Sequence, residues 1–458
     1  MTLQIRPAWD KAKEFIKLSL KKYSVFLLHL TPHQNVAQTV LTYTVLGWVV
    51  LSLPFMTRNG VSLLDNLFTA AAAVSTAGLQ TVNFADSYTL LGKIVVLVLF
   101  QIGGVGYMTF SSFVFLSLSQ KHRLRKSQTE ALTAEVKLPN TLKLSDFLWS
   151  ALLFTAVAES IGTAFLFNYF RHHDYSILNA AWYSIFHSVS AFCTAGYTLW
   201  NNSLMNFADS KTMNIAISLL SLAGAVGFIV VADVSNFIRR KTQSISFTTQ
   251  IILITTFALL AFGTFTLFVT TPSLSLTEAF FQTVSASTTA GFNTVNMATV
   301  SSCSFLLIML IMCIGGSPSG TAGGIKTTAF ASVVAIVYSH LQLNPRVELL
   351  HHRFPIQRLY TATSTVLLYS VFWFTSIFLL TWTEKLPFLN LMFESAAALS
   401  TAGFDTGTTP QLSILGKLII IGTMLIGRIG VVTFSIALMA RDEDDEKPKH
   451  VSQADVAV

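Results

Sequence analysis

Thr-Ala-Gly followed by a bulky apolar residue stands at four places in this chain, and no other feature constrains the fold as strongly. The copies are Thr76-Ala77-Gly78-Leu79, Thr194-Ala195-Gly196-Tyr197, Thr289-Ala290-Gly291-Phe292 and Thr401-Ala402-Gly403-Phe404. Their glycines are 118, 95 and 112 residues apart, and ten residues before each stands a phenylalanine: Phe68, Phe186, Phe281 and Phe393. Coincidence in register at all four places means that one supersecondary unit is built four times. Close helix packing through small residues would explain a single Thr-Ala-Gly, but not four that share their surroundings.

The solvent of that unit follows from composition. Hydrophobic residues make up 52% of the 458 and charged residues 11%, against roughly 25% charged in an ordinary soluble domain. So little polar surface cannot cover a soluble globule, and most of the chain must face lipid. Apolar segments fall at 36–56, 88–119, 144–170, 210–238, 247–271, 303–340, 358–383 and 411–440. Each is long enough for the roughly 20 helical residues that cross a bilayer.

The dozen or so residues before each Thr-Ala-Gly are too few to span and too apolar for a surface loop, which is the length of a re-entrant half-helix. Capping boxes Ser62-x-x-Asp65 and Ser275-x-x-Glu278 open two of them, and Pro387 takes that spacing in the fourth, as a first helical residue. The C-terminal dipole of each half-helix then points into mid-membrane and favours a cation. After the glycine the chain returns outward in extended form, which is tolerated at that depth only along a polar cavity. Four such strands around one axis stack rings of backbone carbonyls that replace the hydration shell of a monovalent cation. Glycine suits the strand because it reaches φ values that other residues avoid. The fold class expected is an all-α polytopic membrane protein of four membrane–pore-loop–membrane repeats. Its eight transmembrane helices and four re-entrant half-helices surround a pseudo-fourfold pore axis.

A second cluster of small residues follows each filter glycine by 24 to 28 residues: Gly103-Gly104-Val105-Gly106, Gly224-Ala225-Val226-Gly227, Gly315-Gly316 and Gly427-Arg428-Ile429-Gly430. Packing alone accounts for them, or they let the second helix of each quarter bend. The third copy differs, because Gly315-Gly316-Ser317-Pro318-Ser319-Gly320-Thr321 runs on through Gly323 and Gly324 to Lys326. Proline and repeated glycine preclude continuous helix there, so the stretch reads as a movable plug under the filter. Its ending only superficially matches a phosphate-binding loop, since Ile325 separates glycine from lysine and no strand precedes it. Arg428 is a charge within an apolar segment, which marks a functional candidate. We expect it beside the plug as a barrier to a permeating cation; a structural pair with Glu159 or Asp233 is the compatible alternative.

The net charge of +7 is unevenly spread. Segments on one side of the expected spans hold 21 Lys and Arg, those on the other hold six, and Lys326 and Arg428 lie within spans. That asymmetry puts both termini in the cytoplasm. The divisions are a basic amphipathic N-terminus at 1–35, repeats at 36–119, 144–238, 246–340 and 357–440, a cytoplasmic loop at 120–143 and a tail at 441–458. Within the third repeat, 315–325 forms the gate loop. Asp65, Glu278, Glu394 and Asp405 lie near the outer mouth, where they gather cations or, for Asp65 and Glu278, cap helices. His187 reads as a hydrogen-bonded half-helix residue. No Ser/His/Asp or metal-ligand set falls on one face, so an enzyme is not expected. A secondary carrier of an organic solute is the other functional class considered, but carriers favour inverted repeats and these four share one orientation.

In this combination of features the chain resembles the Ktr/Trk/HKT potassium-transporter superfamily over about residues 30–440. The features are the four span–half-helix–span units, one glycine per filter, the Gly/Ser-rich break and Gly427-Arg428-Ile429-Gly430. Length, eight spans and the N-terminal Thr31-Pro32-His33-Gln34 look most like the Ktr ion-translocating subunits. The resemblance implies filter glycines Gly78, Gly196, Gly291 and Gly403, a gate loop at 315–324 and a blocking arginine at Arg428. It implies potassium as the transported ion, with sodium as an activator and no organic cofactor. It also implies a homodimer in the cytoplasmic membrane and a separate KtrA-like ring of nucleotide-binding regulatory subunits, with lipid as surroundings and no nucleic acid. Some relatives carry serine at the first filter glycine and pass sodium; Gly78 favours potassium.

Overall fold

The computed structural model describes residues 30–58, 60–106, 144–297, 300–344, 346–350, 352–404 and 406–439. The expected N-terminal stretch, the loop at 120–143, Asp405 and the tail lie outside or largely outside them. The first quarter holds α1 (Pro32–Leu51), the short α2 (Leu63–Val74) and α3 (Leu90–Val105). The second holds α4 (Leu144–His172), α5 (Ile177–Phe192), α6 (Lys211–Val226) and α7 (Phe228–Ile238). The third holds α8 (Phe247–Thr270), α9 (Leu276–Ser287), α10 (Ser302–Ile314) and α11 (Thr327–Leu341). The fourth holds α12 (Ile356–Thr383), α13 (Phe388–Leu399), α14 (Ile414–Ile429) and α15 (Val431–Met439). Between α11 and α12 a short antiparallel hairpin sets Glu348 opposite Arg353.

Within α4, α8 and α12 lie stretches long and apolar enough to cross a bilayer, and two bent pairs qualify together. The outward faces of these helices are apolar, with Phe257, Phe265, Phe378 and Trp382 all exposed. Lipid, not water, is the medium that such a surface tolerates.

Several apolar segments expected as single spans are interrupted. Residues 210–238 form α6 and α7 at 92° to each other, and 411–440 form α14 and α15 at 97°. The breaks sit at Gly227 and Gly430, with φ of +86° and +89°. Gly106, at the end of α3, and Gly315, at the end of α10, are also left-handed, at +98° and +69°. Only glycine takes such φ values at no steric cost, so the second small cluster of each quarter ends a helix. It also permits close packing. A methyl group on Gly103, Gly224 or Gly427 would overlap the carbonyl oxygen of Val74, Phe192 or Leu399, in the last turn of the same quarter's half-helix.

Caps explain where the half-helices begin. Ser275 and Glu278 form the full capping box. Ser62 accepts from the Asp65 N–H, but the Asp65 carboxylate takes the Ser62 hydroxyl at 2.6 Å, so the expected reciprocal box is only half made there. Pro387 is the cap of α13 and not its first helical residue. The half-helix of the second quarter starts a turn earlier than expected, at Ser176, which caps the Asn179 N–H; α5 is 16 residues long where α2, α9 and α13 are 12.

The quarters pack in a cycle. The helix after each Thr-Ala-Gly strand rests on the half-helix of the next quarter: α3 on α5, α6 on α9, α10 on α13, and α14 back on α2. The registered phenylalanines sit in these seams, each no more than 2% exposed. Phe186 meets Phe100 edge-on at 5.6 Å, and Phe393 stacks on Phe305 at 4.1 Å. Aromatic pairs at these separations add to the dispersion packing that holds helices together in lipid.

Candidate functional site

Each half-helix ends in the same set of backbone hydrogen bonds. In the first, Ser75 N–H donates to Ala71 O, Thr76 N–H to Ala73 O and Ala77 N–H to Ala72 O, at 2.8–3.0 Å. The corresponding bonds of Cys193, Thr194 and Ala195, of Thr288, Thr289 and Ala290, and of Ser400, Thr401 and Ala402 repeat the pattern. They turn the threonines into the left-handed region, with φ of +56° at Thr76, +51° at Thr194, +52° at Thr289 and +52° at Thr401. A β-branched residue there is a strained outlier, and strain of this kind persists where surroundings enforce it. Gly78, Gly196 and Gly291 follow at +67°, +69° and +76°. Gly403 is not left-handed, so the fourth strand departs from the other three.

The four glycines close a ring. A methyl group on Gly78 would overlap the Ala195 carbonyl oxygen, one on Gly196 would press on Ala290 O, and one on Gly291 would overlap the Gly403 backbone. One on Gly403 would stand 3.1 Å from Ala77 O. Each strand thus approaches the next in chain order, the fourth approaches the first, and a methyl group on Gly403 would also stand 3.4 Å from Gly196 Cα across the ring. Thr76 through Leu79, Thr194 through Tyr197, Thr289 through Phe292 and Thr401 through Phe404 are all buried around this meeting point.

The threonines form one face of the ring, and the Gly/Ser-rich loop docks on it. Thr194 Oγ1 donates to Thr321 Oγ1 at 3.2 Å, and Gly323 N–H donates to Thr289 Oγ1 at 2.9 Å. Thr321 Oγ1 also reaches Phe192 O at 3.0 Å. Behind the loop is the bend of the second quarter, where Ser317 N–H donates to Ala225 O and Thr321 N–H to Gly224 O. The Ser319 hydroxyl accepts the Ile229 N–H at 3.2 Å. Gly315, Gly316, Gly320 and Gly324 are packed where a methyl group would strike backbone or a neighbouring side chain. Pro318 borders an adjoining cavity of about 670 Å³, which is also lined by Lys326, Arg353, Arg358 and Arg428.

Two cations hold the loop at neighbouring carbonyls. Lys326, itself at φ +86°, donates from Nζ to Ala322 O. Arg428 donates to Thr321 O at 2.8 Å, to the Thr76 hydroxyl at 3.2 Å and to Gly103 O. Arg428 thus lies against the loop. Glu159 accepts from Gln101 at 3.1 Å, and Asp233 accepts the Ser246 N–H at 2.8 Å.

The acidic residues assigned to the outer mouth divide differently. Asp65 pairs with Lys417 at 2.7 Å, and Glu278 caps its own helix. Glu394 is fully buried and holds the Thr409 hydroxyl, so it does not line a mouth. Burial of a carboxylate is offset by such donors and not by solvent. His187 is also fully buried; Nδ1 lies 2.7 Å from Tyr183 O, and the Leu199 N–H donates to Nε2 at 3.3 Å. Sequence reasoning missed Gln101 and the serines Ser190 and Ser285, whose contacts emerge from register and packing.

A family model described as TrkH, cation transport protein, matches residues 12–275 and 254–447. The chain is 32% identical to Ktr system potassium uptake protein B of Bacillus subtilis (strain 168), over 91% of this chain and 95% of that one. It is 33% identical to Ktr system potassium uptake protein B of Vibrio alginolyticus, over 86% and 88%. It is 31% identical to potassium/sodium uptake protein NtpJ of Enterococcus hirae, over 90% and 94%. Among solved structures, the potassium transporter TrkH from Vibrio parahaemolyticus is similar in fold. The TM-score is 0.69 at 20% identity, covering 90% of this chain and 86% of that one.

Proposed function

The chain belongs to the TrkH family of cation transport proteins, and from that premise we propose that it is the ion-translocating part of a Ktr-type potassium-uptake system. It is a multi-pass membrane transporter and not an enzyme. The observation that carries the finer reading is the ring in which Gly78 meets Ala195, Gly196 meets Ala290, Gly291 meets Gly403 and Gly403 meets Ala77. Four membrane–pore-loop–membrane units at 36–119, 144–238, 246–340 and 357–440 surround this axis, with eight transmembrane helices and four half-helices. Backbone carbonyls of the Thr-Ala-Gly strands take the place of hydration water around potassium, the transported substrate. The half-helix dipoles favour the same charge.

The loop from Gly315 to Gly324 is the gate, held shut against the threonine floor. Passage needs Thr321, Gly323 and Arg428 to release their hydrogen bonds, so the closed state rests on a few contacts that a partner could rearrange. In this reading the protein is a homodimer in the cytoplasmic membrane with both termini inside. A separate KtrA-like nucleotide-binding ring sets the gate, and sodium acts as an activator. Both relatives called uptake protein B are named for a Ktr system, which supports a partner subunit. The relative named for potassium and sodium favours a second reading, in which sodium also permeates.

Rubidium uptake in cells lacking their own potassium-uptake systems tests the proposal. Expression should restore uptake, and potassium should compete better than sodium. Uptake no different from the empty vector would reject it; equal competition by the two ions would favour the second reading.

A further inference from the structure

The four filter strands are not fastened alike. Six residues before the filter glycine, the half-helix faces the back of its own strand, since the backbone carbonyl at that position accepts the N–H of the residue before the glycine in every quarter. In the second and third quarters the residue is Ser190 and Ser285, both buried. Ser190 Oγ donates to Tyr197 O at 2.8 Å, and Ser285 Oγ donates to Phe292 O at 2.9 Å. Tyr197 and Phe292 are the residues just after Gly196 and Gly291. In the first and fourth quarters the same register holds Ala72 and Ala397, whose methyl groups can donate nothing.

A second layer repeats this division nine residues before the glycine. His187 accepts the Leu199 N–H at 3.3 Å, and Gln282 donates to Thr294 Oγ1 at 3.0 Å; in both, the partner is three residues past the glycine. Thr69 and Glu394 occupy that register in the first and fourth quarters. Their partners, Tyr88 and Thr409, lie ten and six residues past the glycine. At this register, then, strands two and three are held three residues past their glycines.

We propose that Ser190 and Ser285 are positioning residues for ion selection. By accepting a hydroxyl from behind, the carbonyls of Tyr197 and Phe292 are turned from the axis, and the outermost ring is left to Leu79 and Phe404. A filter discriminates by the number of carbonyl dipoles that it offers and how firmly they are held. Removing the serine hydroxyls frees two oxygens to swing inward, giving a softer and more crowded cage that contracts around the smaller sodium ion. The inference rests on the filter reading above.

The test is sodium inhibition of rubidium uptake, in the same deficient cells, for Ser190→Ala, Ser285→Ala and their double variant. Alanine is native at this register in two quarters, so these variants are expected to fold, and a thermal melt of the purified protein checks it. Sodium inhibition should strengthen roughly threefold to tenfold, the span of one net hydrogen bond. Ser190→Thr and Ser285→Thr, which keep the hydroxyl, should restore the native value. A folded double variant with native sodium inhibition and native KM for rubidium overturns the inference. If the double variant melts early, Ala72→Ser decides instead: adding a donor behind Leu79 should shift sodium inhibition, and no shift overturns the inference. Gly196→Ser separates the two levels. Should it leave selectivity unchanged, the filter reading itself fails; should it alter selectivity while the alanine variants do not, only the serine braces fail.

Discussion

Arg428 and Thr321 are joined by a 2.8 Å hydrogen bond from guanidinium to carbonyl, so the bend of the fourth quarter and the loop of the third are one assembly. The same guanidinium reaches the Thr76 hydroxyl at 3.2 Å, on the floor of the first filter strand. Removing it takes away both a tether on the loop and a fixed positive charge beside the proposed path. Arg428→Ala is expected to raise the initial rate of rubidium uptake severalfold, and Arg428→Lys should fall between, since an ammonium lacks the fork that spans three acceptors. Identical rates in all three proteins at matched expression would remove Arg428 from the gate.

The loop itself supplies an independent check. Thr321 bonds to Thr194 and Phe192, and its backbone N–H bonds to Gly224. Thr321→Val keeps the side-chain shape and discards the hydroxyl, so Phe192 O loses a donor and the Thr194 hydroxyl loses an acceptor. We expect faster uptake and a loop more open to labelling by a thiol reagent at an introduced Ser319→Cys. Labelling and uptake that both stay at the parental level would mean that the hydroxyl does not hold the loop.

Gly78 offers the sharpest test of the ring. Its φ is +67°, and an added side chain would run into Ala195 O of the adjacent strand. Gly78→Ser should displace that carbonyl and weaken discrimination, so that sodium inhibits rubidium uptake more strongly by about an order of magnitude, the effect of roughly 1.4 kcal/mol. Gly60 is also left-handed but has nothing within 4 Å, and Gly60→Ser is the control expected to leave selectivity alone. A Gly78→Ser protein as selective as its parent would argue that these strands do not choose the ion.

How much of this was legible in the sequence depends on what kind of information each residue carries. The glycines of the four Thr-Ala-Gly copies stood out through their shared register, although left-handed backbone requires glycine only at Gly78, Gly196 and Gly291 and not at Gly403. The bends at Gly227 and Gly430 were only half readable, since the same cluster provides close approach at Gly224 and Gly427. Composition cannot separate a glycine needed for φ from one needed for space. Glu394 was read with Asp65, Glu278 and Asp405 as an acidic residue near the outer mouth; its burial in the middle of α13 depends on how that helix faces its neighbours, which no local pattern encodes. Ser190 and Ser285 look like ordinary small helix residues. Aligning the four quarters on their glycines would have placed them opposite Ala72 and Ala397, a contrast visible in the sequence but meaningful only once each partner carbonyl is known.

Close packing at the second-helix glycines should limit substitution as strictly as the filter does. Gly224 faces Phe192 O, and a methyl group there would also stand 2.7 Å from Thr321 Oγ1. Gly224→Ala therefore presses on a half-helix end and on the Gly315–Gly324 loop together, and overpacking of this kind costs about 1–3 kcal/mol. The melting temperature of the detergent-solubilised protein should fall by several degrees. Gly422 has open space, and Gly422→Ala should not lower it. Equal melting of both variants would show that the approach of α6 to the filter base is looser than the geometry indicates.

Asp65 and Lys417 tie the first half-helix to α14, closing the cycle between the first and last quarters with one ion pair at 2.7 Å. Their side chains are 13% and 16% exposed, so the pair is better shielded than a surface bridge yet still reached by salt. Asp65 also takes the Ser62 hydroxyl, and the α2 cap is therefore coupled to the seam. Asp65→Asn keeps hydrogen-bonding capacity but not the charge, and it should lower thermal stability at low ionic strength more than at high. Lys417→Met should do the same, and the double variant should lose less than the sum of the two, because the cost of an unpartnered charge is absent. The seam is the last that the chain completes, so loosening it should also weaken sodium discrimination, through Gly403 and Ala77, before it abolishes uptake. Additive losses in the double-mutant cycle, with selectivity intact until unfolding, would show that the pair is incidental to ring closure.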